Sequence, residues 1–379
     1  MGTAPVPADW PALGETEVGD LLRRYPGAGS LQDVLFCSPR PFSSAALIST
    51  ERGPLFVKRH HRLIRDAAGL SEEHRFMAHL LGAGIPVPEV LSNDLGQSVT
   101  ATADWTYELH RPADGIDLYR DAVSWSPFVS RDHARSAGET LARLHLASRS
   151  FDQPCRAVQP LVSSFTIFSA EDPRPELVRY VALRPDLGRY LEGRPGWQDD
   201  IWAVLAPFHA ALRPFLPPES PLWTHNDWHA SNLTWSDEGD GASVRMVLDF
   251  GLADRTTALY DLATAIERNT IEWLQPETAE RTHPGLVDAL LDGYGSVLPL
   301  TGWHCQALAA LLPLVHAEFA LSETEYFHGI IGSPENTSLA YDTFLFGHAR
   351  WFLSRQGARL LDHIRERPPQ ALDHSGYRS

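Results

Sequence analysis

The sequence predicts an α+β fold in two lobes, the smaller an antiparallel sheet with one helix, the larger mainly helical. Three observations predict it. Strand-like runs bounded by turn residues crowd the first 110 positions, helical periodicity dominates most of the remainder, and a short β-hairpin near 233–248 interrupts the helices. A length of 379 residues, 43% apolar and 21% charged, suffices for one or two buried cores and excludes a disordered or fibrous chain. The break in pattern after His110 sets the expected lobes at 1–110 and 111–379.

Residues 1–30 are punctuated by Pro and Gly, with one short helix expected over 15–25, where Val18, Leu21 and Leu22 form a partial apolar stripe. This segment reads as a strap on the first lobe. Runs at 32–37, 45–49 and 55–60, separated by Pro/Ser and Glu-Arg-Gly turns, read as an antiparallel meander. The stretch 71–81 is helical, with Phe76, Met77, Leu80 and Leu81 on one face and Gly82 as its stop. Strands at 98–103 and 105–110 follow, and Arg111-Pro-Ala-Asp-Gly115 breaks the pattern where a hinge belongs. Helices are expected at 131–148, with Ala137, Leu141, Leu144 and Leu146 buried, at 176–191, and at 197–212, which Pro214 ends. Beyond the hairpin, helices are expected from Asp261 through Trp273, then at 285–294, 304–330 and 340–355, with Asp261 capping the first and bracing the loop before the hairpin.

That loop carries the chemistry. Asp227 and Asn232 lie five residues apart, and Asp249 opens Asp249-Phe-Gly251 at the end of the returning strand, so the hairpin brings two carboxylates and an amide to one end. The interval and the tripeptide match the catalytic loop and metal motif of protein kinases. Phosphoryl transfer needs hard oxygen ligands for magnesium and a carboxylate facing the acceptor hydroxyl. Asn232 and Asp249 are expected to hold the metal and Asp227 to orient or accept the hydroxyl proton. A plain polar hairpin would explain either motif alone; the two together disfavour it.

Lys58 is the only lysine in the chain and falls on the third strand. Arg does not substitute where a compact point charge must sit between α- and β-phosphates, so Lys58 is the expected phosphate lysine. Glu73, on the apolar-facing side of the 71–81 helix, is its expected ion-pair partner, while Glu72 points away; the competing reading is that either glutamate only complements the helix N-terminus. Ser43 and Ser44 stand at the end of the loop that would cover the nucleotide, and a surface turn explains them equally. Backbone groups around Glu108 and His110 are expected to meet adenine at the hinge.

His225-Asn-Asp-Trp-His-Ala-Ser-Asn232 resembles the His-Gly-Asp-x-His-x-x-Asn signature of the aminoglycoside phosphotransferase and choline kinase family. His229, Tyr260-Asp-Leu-Ala263, Leu141-Ala-Arg-Leu-His145 and the run from Glu73 to Ile85-Pro-Val-Pro88 fit as well; Asn226 departs, standing where the family usually has Gly. The resemblance implies a bilobal protein-kinase-like fold, ATP or GTP with Mg2+, and phosphorylation of a small-molecule hydroxyl. It also implies that C-terminal helices complete the acceptor pocket. There Glu318 and Glu325 share a helix face and, with Trp228, are candidate contacts for an amino-bearing acceptor such as an aminoglycoside or amino sugar; a solvated helix face is the alternative. Homoserine- or choline-like acceptors, and a nucleotide-binding module without transfer, are the competing readings. The short 252–259 interval leaves no room for an activation segment, which disfavours protein acceptors.

A net charge of -16 makes nucleic acid and anionic membrane poor partners. No obligate protein partner is implied. Cys37, Cys155 and Cys305 are too scattered for a disulfide framework or a zinc motif. The first ten residues lack the pattern of a secretory signal, and a cytoplasmic location is expected.

Overall fold

The structure is a computed structural model and describes residues 8–38, 42–122, 124–216, 220–274 and 282–368. The first lobe runs α1 (Glu15–Leu22), β1 (Leu31–Cys37), β2 (Ser44–Thr50), β3 (Gly53–His61), α2 (Ala67–Gly82), β4 (Thr100–Ala101) and β5 (Trp105–His110). Its five strands form one antiparallel sheet in the order β1-β2-β3-β5-β4, with Ala45, Lys58 and Glu108 side by side.

Alternation along β3 sorts the two faces of this sheet. Leu55 and Val57 join Ala46, Ile48, Tyr107 and Leu109 in a small apolar core under Val18, Leu21 and Leu22 of α1. Arg59 shares that face: its Nη1 donates to both carboxylate oxygens of Glu17 at 2.7 and 2.9 Å, and Tyr107 Oη donates to Glu17 at 2.7 Å. Phe56, Lys58 and His60 take the opposite face, toward α2. The strap reaches both lobes, because Trp10 stacks on His61 at 4.5 Å while Tyr326 Oη donates to Asp9 Oδ2 at 2.8 Å.

The second lobe contains α3 (Arg131–Ser148), α4 (Pro173–Ala182), α5 (Pro185–Glu192), α6 (Trp197–Leu212), β6 (Leu222–Thr224), β7 (Leu233–Trp235), β8 (Val244–Val247), β9 (Asp254–Thr256), α7 (Ala258–Thr270), α8 (Pro284–Val297), α9 (Gly302–Leu311), α10 (Ala317–Glu325), α11 (Pro334–Ser338), α12 (His348–Trp351) and α13 (Arg355–Arg365). Tyr326–Ile331 and Leu339–Gly347 are π-helical. β7 and β8 make the expected hairpin, and β6 pairs with β9. Phe76, Met77 and Leu80 of α2 join the large core of this lobe rather than the sheet core, so the first lobe's second helix is packed as part of the second.

Several helices differ from expectation for local reasons. The 176–191 helix is two, because Pro185 starts α5 and cannot continue α4. Pro313 likewise separates α9 from α10. The 340–355 helix becomes π-helical, stops at Trp351, and restarts as α13 where Ser354 accepts from Gly357 N. α7 begins before Asp261 and is capped by Thr257, whose Oγ1 accepts from Tyr260 N, so Asp261 is not the cap. Leu146 is exposed; the buried position on that turn is His145. No described helix is long and apolar enough to cross a membrane.

α3 and α8 cross at glycines. A Cβ on Gly138 would lie 2.0 Å from Leu290 O, and one on Gly293 would lie 1.9 Å from Arg135 O. Gly138→Ala and Gly293→Ala should therefore each lower stability in urea denaturation by more than ~1 kcal/mol, reversing the ~1 kcal/mol gain that helix propensity alone would supply. A stabilised variant would mean that the helices separate freely.

Candidate active site

The polar loop after β6 is held from below by a fully buried carboxylate on α7. Asp261 Oδ2 accepts from His225 N at 2.9 Å and Oδ1 from Asn226 N at 2.8 Å. His145 Nε2 lies 3.0 Å from the same Oδ2, and its Nδ1 faces Tyr294 Oη at 2.9 Å. Asn226 has φ +60, a left-handed conformation that Gly or Asn adopts most readily. Its Oδ1 accepts from Thr224 Oγ1 at 2.8 Å and Thr256 Oγ1 at 3.0 Å, while Nδ2 donates to Leu252 O at 3.3 Å. The departure from Gly thus keeps the turn and adds a clasp to β9.

The two motifs are tied to each other. His225 Nε2 meets Leu248 O at 2.9 Å, and Leu248 N donates to Asn232 O at 2.8 Å. Asp249, also left-handed at φ +56, then turns its carboxylate toward the sheet, where Oδ1 accepts from Lys58 Nζ at 2.9 Å. Residues 191 apart in sequence are thereby in direct contact. Asn232 Nδ2 donates to Asp227 O and Oδ2, both at 3.0 Å, which turns the amide oxygen of Asn232 away from Asp227 with its lone pairs available to a cation. The Asp249 side chain keeps 42% of its surface exposed. An amide oxygen and an open carboxylate suit a hard divalent cation.

Asp227 Oδ1 is buried and accepts no hydrogen bond, although Arg268 Nη1 lies 2.9 Å away. Burial pushes the Asp227 carboxyl up, but Arg268 and the His229 and His225 rings outweigh it and hold the group well below the usual carboxylate range. Burial works against the Lys58 charge, yet Asp249, Glu108 and Glu73 raise its pKa above the ordinary lysine value. Burial also acts to raise Asp249, and Lys58 lowers it. All three groups are charged at neutral pH.

Other expected site residues are placed differently. Glu73 is near enough to act on Lys58, but the nearest cation to its Oε2 is Arg156 Nη2 at 3.7 Å, so the ion pair of Lys58 is with Asp249. Glu72 does not point away: its Oε2 is buried, 3.8 Å from Arg156 Nε. Glu108 and His110 lie inside the sheet with their backbones paired to Lys58 and Phe56, and Leu91 N and Arg111 N bond across the other edge, so their main chain does not form a free hinge. The Glu108 carboxylate instead faces three imidazoles, His60 at 2.9 Å and His74 and His110 at 2.7 Å. Ser44 donates to Pro11 O at 2.7 Å on the strap side of the sheet, which points its hydroxyl away from Lys58; Ser43 is half-buried just before β2, and 39–41 of the covering loop lie outside the described residues.

The acceptor candidates also resolve into packing roles. α10 is buried throughout rather than solvated on one face. Glu318 accepts from Ser164 Oγ at 2.6 Å, Thr166 N at 2.9 Å and Ile167 N at 2.7 Å, leaving it committed to the 163–168 segment. Glu325 lies 3.4 Å from Arg184. Trp228 is fully buried, with its ring edge-on to His225.

Two arginines that local pattern did not identify clamp the Asp-Phe-Gly segment. Arg65 donates to Gly251 O, Leu161 O and Pro160 O, and Arg156 donates to Gly251 O and Ala253 O at 3.2 Å and to Gly69 O at 2.8 Å. Their spacing to the site is wholly tertiary. Arg268 was accessible in principle: it lies seven residues after Asp261 on one helix, and so on the same face.

A family model described as the phosphotransferase enzyme family matches residues 42–308. A homoserine kinase of Burkholderia thailandensis is 29% identical over 230 residues, covering 59% of this chain and 60% of that protein. The homoserine kinase of Burkholderia cenocepacia is 27% identical over 299 residues, covering 76% of this chain and 79% of that protein. Among solved structures, a microcompartment-associated aminopropanol kinase superposes with TM-score 0.59 at 18% identity, covering 91% of this chain and 99% of that one. An amicoumacin kinase in complex with AMP-PNP, Ca2+ and Ami superposes with TM-score 0.54 at 14% identity, covering 92% and 96%. These superpositions establish a kinase-like fold of the same architecture.

Two predictions separate packing from acceptor binding. Glu318→Ala strands the buried Ile167 amide, together with the buried Ser164 hydroxyl, and should lower stability by about 1–3 kcal/mol in urea denaturation. Burial pushes the Glu325 carboxyl up to about 7, against Arg184, from a reference of 4.5. Because the folded-state pKa is raised, the stabilising contribution is complete below 4.5 and lost as pH rises through about 7. Thermal denaturation of Glu325→Gln across that window should show a weaker pH dependence than the parent; identical profiles would contradict the assignment.

Proposed function

The chain belongs to the phosphotransferase enzyme family, and on that premise we propose that it transfers the γ-phosphoryl group of a nucleoside triphosphate, taken to be ATP, to a hydroxyl of a small amino-bearing acceptor. The observation that carries the reading is the convergence of Lys58, Asp249, Asn232 and Asp227.

Asn232, through its amide oxygen, and Asp249, through its carboxylate, are the residues that would hold a divalent cation, taken to be magnesium, which when bound neutralises charge on the phosphate oxygens. Lys58 moves its ammonium from Asp249 to the α- and β-phosphates. Asp227 orients the acceptor hydroxyl and takes its proton late; the loose transition state needs little proton transfer beforehand, so a low carboxyl pKa does not impede it. Arg268 fixes the Asp227 carboxylate from behind, and His225 keeps the Asp227 and Asp249 segments in register.

The amino-bearing acceptor is supported by the names of the relatives, homoserine kinase and aminopropanol kinase, whose substrates each carry an amine and a hydroxyl. The net charge of -16 also favours a cationic acceptor over an anionic one.

Release of ADP on adding homoserine, aminopropanol, choline or an aminoglycoside, each with ATP and Mg2+, tests the reading. Turnover is expected with a small amino alcohol, and Asp227→Asn should lower kcat by about 10²–10⁴-fold while nucleotide affinity by calorimetry is unchanged. Full activity of that variant would refute the role given to Asp227, and absence of phosphate transfer to every acceptor would refute the proposal.

A further inference from the structure

Below the Asp227–Arg268 pair, three side chains from separate elements meet in the core: Glu267 of α7, His316 just before α10, and His348 at the start of α12. All are buried, and one ligand atom from each lies within 4.8 Å of the others. His348 Nδ1 is 3.2 Å and His316 Nδ1 3.7 Å from Glu267 Oε1. Glu267 Oε1 and His348 Nδ1 nevertheless have no hydrogen-bond partner, and neither do His316 Nε2 or Glu323 Oε2, which face each other at 3.8 Å. Four unsatisfied buried polar atoms in one place are costly unless something else satisfies them.

For Glu267 Oε1 and His348 Nδ1 the spacing says what that is. Metal–nitrogen and metal–oxygen bonds of about 2.0–2.2 Å at tetrahedral angles put neighbouring donor atoms roughly 3.3 Å apart. The distances at Glu267 straddle that value. The cluster under the sheet provides an internal contrast: there the imidazoles stand 2.7 to 2.9 Å from Glu108 and form ordinary hydrogen bonds, so that cluster is self-satisfied.

We propose that Glu267, His316 and His348 bind a zinc-class divalent cation, distinct from the cation assigned to Asn232 and Asp249. Two imidazoles and one carboxylate select a borderline metal rather than magnesium. Three protein donors leave a fourth position to water. Glu323 lies behind His316, its Oε2 3.8 Å from the Nε2 that the ion would leave unbound. Trp273 stacks on the His348 ring at 3.8 Å and 9°, fixing its plane. The Arg268 guanidinium is taken up by Asp227, which leaves the Glu267 carboxylate to the ion. Bound there, it fastens α7 to α10 and α12 one residue from Arg268, and so sets the position of the arginine behind Asp227.

The experiment is metal analysis of the full chain, stripped by chelator, reloaded with zinc or cobalt in the presence of excess magnesium, and freed of loose ions by gel filtration. One zinc per chain, a cobalt spectrum in the visible typical of tetrahedral nitrogen and oxygen coordination, and a higher melting temperature on reloading are expected. Glu267→Gln and His348→Ala should lose the ion, whereas Asp249→Asn should retain it, which separates this site from the phosphate-site cation and from the phosphotransferase reading. Circular dichroism controls for folding; if the variants do not fold, the cobalt spectrum of the parent chain decides. A parent chain that retains neither metal, or folded variants that retain zinc at the parent stoichiometry, would overturn the proposal.

Discussion

The buried Asp261 carboxylate is the constraint on which the site depends. It accepts two consecutive main-chain amides, His225 N and Asn226 N, from a loop that has no regular secondary structure to satisfy them. A carboxylate accepting backbone N–H groups forms charge-assisted bonds stronger than neutral ones, and His145 closes its remaining side. Since His145 belongs to α3 and Asp261 to α7, the loop inherits its position from the packing of the large lobe. The close glycine crossing of α3 with α8 is part of the same support.

From that anchor the site is assembled by short links. His225 transfers the position of the loop to Leu248, and hence to Asp249, and Asp249 meets Lys58 of the sheet directly. The sheet contributes through its pleat: one face of β3 is apolar and packs under α1, while the other carries Lys58 above a layer of Glu108 and imidazoles. Strand alternation alone separates a core from a charged chamber within a single five-stranded sheet. Arg65 and Arg156 then hold the Asp-Phe-Gly segment against α2 through its carbonyls, so the geometry at Asp249 is a property of both lobes.

The second lobe also shows how a helical pattern conceals chemistry. Glu318 and Glu325 have the spacing of a shared face, and both are committed to neighbours inside the lobe. Glu267, His316, Glu323 and His348, each with a buried polar atom left unsatisfied, come from segments that a linear pattern cannot bring together. Helical periodicity identifies the face a residue occupies; which of two buried faces opens on the site depends on crossing angles and on breaks such as those at Pro185 and Pro313.

By itself the sequence determined the α+β architecture, an antiparallel sheet followed by a mainly helical part, the strand on which Lys58 lies, and the hairpin between Asn232 and Asp249. These are short-range properties: period-2 and period-3.6 patterns, turn residues, and intervals within one hairpin. Only the tertiary structure decided that Lys58 pairs with Asp249 rather than Glu73, that Arg268 stands behind Asp227, that Asn226 replaces a glycine without loss of the turn, and that Glu108 is a hub for histidines rather than a hinge contact. Each of these turns on which of several equally placed partners lies within about 3 Å, the range over which a hydrogen bond or ion pair is effective. Distances of that order between residues far apart in the chain are set by how whole elements pack, and no interval along the sequence encodes them.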